Sequence, residues 1–273
     1  MKLHVYKALW GMEGTYEEQL GKASAAGYYG IEAPLPPEND EHSFKQLLKR
    51  YDLSYIAQIV THGDHSSSFA ELVKRAATFQ PVHIVAHSAK DSMSEDDQDR
   101  FYEQALRVEQ EWEIPIGHET HRGRAMFTPW TTARLLRKFP ELRITADFSH
   151  WVNVCESHLE DQEEDIALAV SKTIHIHGRV GYPEGPQIPH PASPYFQKEL
   201  KLFMGWWQDI FRHQKDNGRA NATFTAEFGP PGYMHTDPFT NKPIADLWEV
   251  NEWMADMVKE NFNRLEWKGK LEG

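Results

Sequence analysis

Four side chains that can hold a cation occur at equivalent places in the second half of the chain. Glu119, Asp147, His177 and Glu227 each stand at or near the end of a short β-type run. Carboxylate oxygens combined with an imidazole suit a divalent ion such as Mn²⁺, Co²⁺, Mg²⁺ or Zn²⁺. A strand-end carboxylate taken singly is more often a capping or surface group, but a cluster of them repels itself without a cation. We therefore predict that these four residues bind a divalent metal ion.

The choice of histidine is open at this stage. His175 and His177 are two residues apart in "TIHIHG", and on a β-strand such residues share a face. His177 lies nearer the end of the run, so we prefer it as the ligand. His175 would then support it from below or belong to the core.

Five further residues are candidates for contacts with a substrate: Glu32, His87, His150, Arg122 and Arg179. The first two end β-type runs, and the other three follow such runs. Arginine near a metal site often holds substrate oxygens, although an ordinary salt bridge explains each arginine equally well. The histidine that follows "ADFS" is also a candidate ligand for a second metal ion.

The elements that must position these side chains alternate between β-type and helical patterns. Eight β-type runs are separated by helical segments, an order that indicates parallel βαβ units. Eight such units in about 250 residues are typical of a (β/α)₈ barrel, whose chemistry lies at the carboxyl ends of its strands. We predict a single (β/α)₈ TIM barrel over residues 1–273, in preference to an open doubly wound sheet. The predicted strands span residues 4–9, 29–34, 54–60, 82–88, 114–120, 143–149, 173–178 and 222–228.

The eight runs end at or near polar residues, which the barrel would bring to one mouth: Lys7, Glu32, Gln58, His87, Glu119, Asp147, His177 and Glu227. Helix starts are predicted from capping-box patterns at 15–18, 43–46, 68–71 and 157–160, and from proline after a Thr or Ser cap at 128–130 and 193–195. The proline-rich loop after the seventh run suggests a stiff wall beside the site, in which Gln187 or His190 selects the substrate.

Composition excludes several classes of partner. The chain has 273 residues and a net charge of −12 at pH 7, so a general affinity for nucleic acid or for anionic membranes is not expected. One cysteine, Cys155, excludes a disulfide framework. No apolar run approaches the roughly 18 residues of a membrane span. We expect a cytoplasmic protein, with a small-molecule partner and possible homo-oligomers.

The motifs "GHETH", "ADFSHW", "IHIHG" and "TAEFGP" together resemble the xylose isomerase-like TIM-barrel superfamily. This resemblance covers essentially the whole chain. It implies the four metal ligands already given, with Glu119 and Glu227 also acting as the acid and base, and it implies that His150 contacts the substrate. The chain departs from the ketose 3-epimerases of this superfamily in one respect. They carry Glu and Arg where this chain has Val180 and Pro183.

The resemblance implies a divalent-metal-dependent isomerase or epimerase that acts on a sugar by proton transfer through a cis-enediolate, which the cation stabilises. Other hypotheses stay open. Loss of water from the same intermediate would make the protein a dehydratase acting on a keto-sugar or keto-inositol. A nuclease like endonuclease IV is disfavoured by the charge, and a non-catalytic binding barrel by the complete ligand set.

Overall fold

The computed structural model describes residues 1–265 as a closed barrel of eight parallel strands. The strands follow one another around the barrel in chain order, and β1 pairs with β8 to close it. The predicted (β/α)₈ fold is therefore confirmed, and all eight predicted strands are present. Their bounds are β1 Lys2–Ala8, β2 Gly30–Pro34, β3 Ser54–Val60, β4 Ile84–His87, β5 Ile116–Glu119, β6 Ile144–Ala146, β7 Thr173–Gly178 and β8 Asn221–Ala226.

Nine α-helices occur among the described residues. They are α1 Tyr16–Ala25, α2 Glu41–Arg50, α3 His65–Ala77, α4 Glu95–Trp112, α5 Pro129–Lys138, α6 Ser149–Val154, α7 Glu163–Lys172, α8 Gln197–Asp216 and α9 Leu247–Asn263, with 3₁₀ turns at Glu38–Asp40 and Pro194–Phe196. None of the helices within residues 1–265 is long and apolar enough to cross a membrane. The prediction of one domain over residues 1–273 includes 266–273, which lie outside the described part of the chain, and it stays a prediction.

Three of the predicted helix starts are confirmed. Thr15 and Thr128 cap α1 and α5 through reciprocal side-chain and backbone hydrogen bonds. Ser193 caps the 3₁₀ turn that leads into α8. In each case the side-chain oxygen satisfies a backbone N–H that has no partner within the helix.

The other three predicted starts are wrong. The pattern at 43–46 lies inside α2, and that at 68–71 lies inside α3, which is capped instead by Asp64. The pattern at 157–160 falls in a turn before α7. Ser and Glu three positions apart also suit the surface of a helix interior, so the motif alone does not locate a helix start.

Most of the apolar core lies between the strands and the helices, and only a small apolar cluster lies inside the barrel. Tyr6, Ile56 and Val85 form a separate apolar cluster, and the ring centroid of His83 lies 4.6 Å from that of His175. Because side chains alternate along a strand, an inward Tyr6 directs its neighbour on β1 outward. Lys7, expected at the mouth of the barrel, is accordingly buried beside Trp248 of α9, with Nζ 5.3 Å from the indole ring.

Candidate metal centre and active-site cavity

Four buried side chains meet where strands β5 to β8 end. Glu119, Asp147, His177 and Glu227 each offer one ligand atom, and these atoms all lie within 4.8 Å of one another. Glu119 ends β5, while Asp147 and Glu227 each follow the last residue of their strand. The structure therefore brings together the four residues that the sequence predicts as metal ligands.

His177, rather than His175, belongs to this cluster. Its Nδ1 lies 3.2 Å from Oε1 of Glu119 and 3.0 Å from Oε2 of Glu227. The ring of His175 lies in another layer of the barrel, where Nδ1 is 2.8 Å from Oγ1 of Thr223 and Nε2 is 3.0 Å from Oγ1 of Thr225. This arrangement supports the preference for His177.

Glu32 lies beneath the cluster and holds both histidines. Its Oε1 lies 2.8 Å from Nε2 of His177, its Oε2 lies 3.1 Å from Nε2 of His175, and Oγ1 of Thr225 donates to Oε2 at 2.6 Å. The carboxylate of Glu32 lies inside the barrel and Glu32 is not among the cavity-lining residues, so its contact with a substrate stays a prediction. A carboxylate in this position orients a histidine ligand and increases its basicity.

Arg179 joins two of the carboxylates. Its Nη2 lies 2.8 Å from Oδ2 of Asp147 and 2.5 Å from Oε2 of Glu227. Its Nε and Nη1 are buried and have no hydrogen-bond partner among the described residues. The sequence left open whether Arg179 forms a salt bridge or binds substrate oxygens, and the geometry leaves room for both.

Three carboxylates, those of Glu227, Glu32 and Glu119, lie around His177 and favour a positive charge on its ring. Burial alone would lower the pKa of His177, but Glu227, Glu32 and Glu119 outweigh burial and raise this pKa well above its usual value. Burial raises the pKa of Asp147 to about 6, in opposition to Arg179 and with help from Glu227. The cluster thus favours positive charge among its carboxylates.

These residues fit a divalent metal ion. Three carboxylates and one imidazole nitrogen converge within ligand-sharing distance, and this mixture of oxygen and nitrogen donors suits Mn²⁺, Co²⁺, Mg²⁺ or Zn²⁺. Nδ1 of His177 faces the carboxylates while Nε2 is held by Glu32, so the ring is already turned for binding. Glu119, Asp147, His177 and Glu227 would hold the ion.

A cavity of about 390 Å³ opens directly above the cluster. Two of the candidate ligands, Glu119 and Glu227, line it, together with Arg179; Asp147 and His177 are not among its lining residues. The remaining walls are mainly aromatic and apolar. They consist of Leu9, Trp10, Tyr16, Gln19, Ala33, Pro34, Gln58, His87, His121 and Tyr233.

Two of the predicted substrate contacts, His87 and Arg179, line the cavity. Nε2 of His87 contacts Oε2 of Glu119 and lies 3.1 Å from Nε2 of Gln58. Gln58 was predicted at the mouth of the barrel and is found there. The two side chains place polar groups beside the acidic cluster.

Two other predicted substrate contacts, His150 and Arg122, are not among the residues that line the cavity, and their contact with a substrate stays a prediction. His150 is buried beneath His121, with ring centroids 3.9 Å apart, and neither of its ring nitrogens has a hydrogen-bond partner among the described residues. Arg122 donates to Oδ1 of Asn153 at 3.3 Å, and its guanidinium lies over the ring of Tyr233 at 4.9 Å. The folding of α6 and of the loop after β8 therefore removes both side chains from the cavity wall.

Several lining residues were not predicted from the sequence, among them Trp10, His121 and Tyr233. The two aromatic rings flank Arg179, whose Cζ lies 5.5 Å from the Trp10 ring and 4.5 Å from the Tyr233 ring. Gly229 makes room for this arrangement, since a Cβ atom there would overlap the Trp10 ring. The available signal was an aromatic residue or histidine shortly after a strand end, in "ALWG", "HETH" and "GPPGY".

Two hydrogen bonds join the loop after β7 to the loop after β8. The N–H of Gly229 donates to Oε1 of Gln187 at 2.7 Å, and Nε2 of Gln187 donates to the carbonyl of Gly229 at 3.3 Å. Gln187 thus joins the two loops, and its selection of the substrate stays a prediction. His190 accepts a hydrogen bond from the N–H of Ala192 and is not among the cavity-lining residues.

Comparison with known proteins gives similarity in structure only. No family model matches the sequence, and no curated protein matches it. A probable 3-DHS dehydratase of petrobactin synthesis from Bacillus anthracis is similar, with a TM-score of 0.62 and 13% identity over 95% of this chain and 99% of the other. A D-tagatose 3-epimerase-like protein gives 0.61 and 14% over 96% and 97%.

A family 2 AP endonuclease from Brucella melitensis is also similar, with a TM-score of 0.56 and 13% identity over 85% of this chain and 94% of the other. The three similar proteins are thus named as a probable dehydratase, an epimerase-like protein and an endonuclease. At these identities the likeness establishes the fold alone. The likeness agrees with the closed (β/α)₈ barrel of this chain.

Proposed function

We propose that the protein is a divalent-metal-dependent isomerase or epimerase that moves a proton on the carbon beside the carbonyl of a small sugar or sugar derivative. One observation carries this proposal. Glu119 and Glu227 belong to the cation cluster and also line the cavity, whereas Asp147 and His177 take part in the cluster alone. Two carboxylates are therefore within reach of both an ion and a substrate.

A divalent ion, when bound, supplies a Lewis acid that makes the C–H bond beside the carbonyl more acidic. Glu119 or Glu227 accepts the proton from that carbon as general base. Return of the proton to the neighbouring carbonyl carbon, with transfer of the hydroxyl proton to the former carbonyl oxygen, completes an isomerisation. Return by the second glutamate to the opposite face of the same carbon completes an epimerisation.

Arg179 supports the same reaction from the cavity wall. Its Nε and Nη1 have no partner among the described residues, so they are free to donate hydrogen bonds to a substrate oxygen that gains negative charge. Such a donor, fixed in place by two carboxylates before the reaction, stabilises developing charge without reorganisation. Trp10 and Tyr233 cover the guanidinium and reduce its contact with water.

The remaining lining residues suit a hydroxylated substrate of modest size. A cavity of about 390 Å³ lies within the range of small-molecule sites. The rings of Trp10, Tyr16 and Tyr233 offer apolar surfaces for the C–H face of a sugar. Gln58 and His87 offer hydrogen bonds to its hydroxyl groups.

A dehydratase on a keto-sugar or keto-inositol is the second candidate, because His87 lies against Glu119. Removal of the same proton is the first step of water elimination, and the imidazole of His87 beside the base is placed to donate a proton to a leaving hydroxyl group. The fold similarity to a probable dehydratase agrees with this alternative. The two reactions are distinguished by their products.

The test is incubation of the full chain, with its metal content measured, with a panel of ketoses and keto-inositols in D₂O. Proton transfer predicts deuterium at the carbon beside the carbonyl, and NMR distinguishes an isomer or epimer from a dehydrated product. Glu119→Gln and Glu227→Gln should each abolish turnover, while Glu184→Gln, a change at an exposed loop glutamate, should have no effect. Isomerisation without incorporation of solvent deuterium, or substantial turnover in either glutamine variant, would refute the proposed mechanism.

A further inference from the structure

A second cavity, of about 540 Å³, lies on the outer side of β1, away from the barrel axis. It is bounded by the loop after β1, by α1, by the loop after β8 and by the start of α9. The residues that line it are Lys7, Gly11, Met12, Glu13, Lys22, Pro230, Pro231, Met234, Pro243, Ala245, Asp246, Leu247 and Trp248.

Lys7 is the buried charge of this cavity. Its side chain is 1% exposed, and among residues 1–265 its ammonium group has neither a hydrogen bond nor an ion pair. Burial, together with Lys22, lowers its pKa to about 8, and Glu252 of α9 opposes this effect only in part. An unpaired buried ammonium is costly, so an anion that enters the cavity would find a donor without a partner.

A second cation faces the same space. Nζ of Lys22 lies 3.8 Å from the ring centroid of Trp248, and Nζ of Lys7 lies 5.3 Å from it. Both ammonium groups thus adjoin one indole ring and repel each other. The first residues of α9, Leu247 and Trp248, line the cavity as well, so the positive end of that 17-residue helix adds to the field.

Two acidic side chains also line the cavity, but neither neutralises Lys7. Asp246 caps α9 and accepts a hydrogen bond from the N–H of Glu249 at 2.9 Å. Glu13 is exposed. Neither carboxylate forms an ion pair with Lys7.

We propose that this cavity is a binding site for a small oxyanion, a carboxylate or a phosphate monoester, that carries an apolar body. The anionic group lies between Lys7 and Lys22, and the apolar part packs against Trp248 and the prolines of the loop after β8. The site is separate from the metal cluster because Lys7 leaves β1 on the side opposite to the barrel interior.

An occupant would connect two loops that also serve the first cavity. Gly11 and Met12 follow Trp10, and Met234 follows Tyr233, and these two rings flank Arg179. Binding at the second cavity therefore holds together the loops that carry both rings.

The experiment is isothermal titration of the full chain, as purified, with inorganic phosphate, phenyl phosphate and benzoate. We expect phenyl phosphate to bind more tightly than inorganic phosphate, and comparison with benzoate distinguishes a phosphate site from a carboxylate site. Lys7→Met should weaken binding about 10- to 100-fold, as expected for a lost charged hydrogen bond, and Lys22→Met should weaken it less. Lys49→Met, at an exposed lysine of α2, is the control.

Lys7→Met should fold, because a thioether replaces an unpaired charge, and its melting temperature checks this directly. If it does not fold, the exposed Lys22 tests the same site. Absence of binding by all three probes, or equal binding by the wild type and both lysine variants, would overturn the proposal. Equal affinity for phenyl phosphate and inorganic phosphate would overturn the proposal that the ligand carries an apolar body.

Discussion

The carboxylate of Glu32 accepts a hydrogen bond from Nε2 of His177 at 2.8 Å, although 145 positions separate the two residues in the chain. This contact leaves Nδ1 of the same ring facing Glu119 and Glu227. The orientation of the His177 ring is therefore set by Glu32, which lies inside the barrel. Any cation in the cluster meets a ring that is already oriented.

Glu32→Gln should reduce the affinity for Mn²⁺ about 10- to 100-fold, the usual effect of losing the carboxylate behind a histidine ligand. The substitution keeps the shape of the side chain but removes its charge. Equilibrium dialysis against Mn²⁺ measures the effect, with Glu184→Gln as the control. Unchanged affinity would show that Glu32 does not position His177.

Substitution of each histidine by alanine should show which one binds the metal and which one is structural. His177→Ala should lose bound metal, because it removes the only imidazole of the cluster. His175→Ala should retain metal but unfold at a lower temperature, because it removes the buried hydrogen-bond partner that Glu32, Thr223 and Thr225 share. Metal analysis and thermal unfolding of both variants test this, and the opposite pattern would contradict the assignment.

Arg179→Ala should destabilise the metal-free protein by about 3–5 kcal/mol, since removing one partner leaves buried carboxylates uncompensated. Added Mn²⁺ should restore more stability to this variant than to the wild type. Turnover should stay low even with metal bound, because the donors Nε and Nη1 are gone. Denaturant unfolding with and without Mn²⁺ and steady-state kinetics measure the two effects. Full activity in the metal-bound variant would leave Arg179 with a structural role alone.

Gly229→Ala should weaken substrate binding while metal content stays unchanged. A Cβ atom at this position overlaps the ring of Trp10, so the ring must leave the wall of the cavity. Gly205→Ala in α8 is a matched control, because a Cβ atom there meets nothing within 4 Å. The comparison of KM and metal content between the two variants is the measurement. Equal KM values would indicate that Trp10 does not contact the substrate.

Lys7→Met should stabilise the protein by about 3 kcal/mol near pH 7, the equivalent of lowering a pKa from 10.5 to about 8. Between pH 8 and 10.5 the unfolded chain binds more protons than the folded one, so the wild type gains stability as the pH rises. The advantage of Lys7→Met should therefore shrink across that range. Denaturant unfolding of both proteins from pH 7 to 10.5 in anion-poor buffer tests this. An advantage that does not change with pH would place the pKa of Lys7 near its usual value.

The sequence by itself determined the order of the elements and the four side chains that converge in the buried cluster. Alternation of β-type and helical patterns is a local property, and in a parallel barrel it brings all strand ends to one side. Glu119, Asp147, His177 and Glu227 stand at equivalent positions on four consecutive strands, so their convergence follows once the barrel is accepted.

Only the tertiary structure decided how deep each strand-end side chain lies and which way it faces. Glu32 was expected at the mouth, but the barrel register places it under His177. Lys7 is one residue from the end of β1, yet the inward position of Tyr6 directs it to the outer side. A shift of one residue reverses the face of a strand residue, and the pairing of distant strands, rather than any local pattern, sets that register.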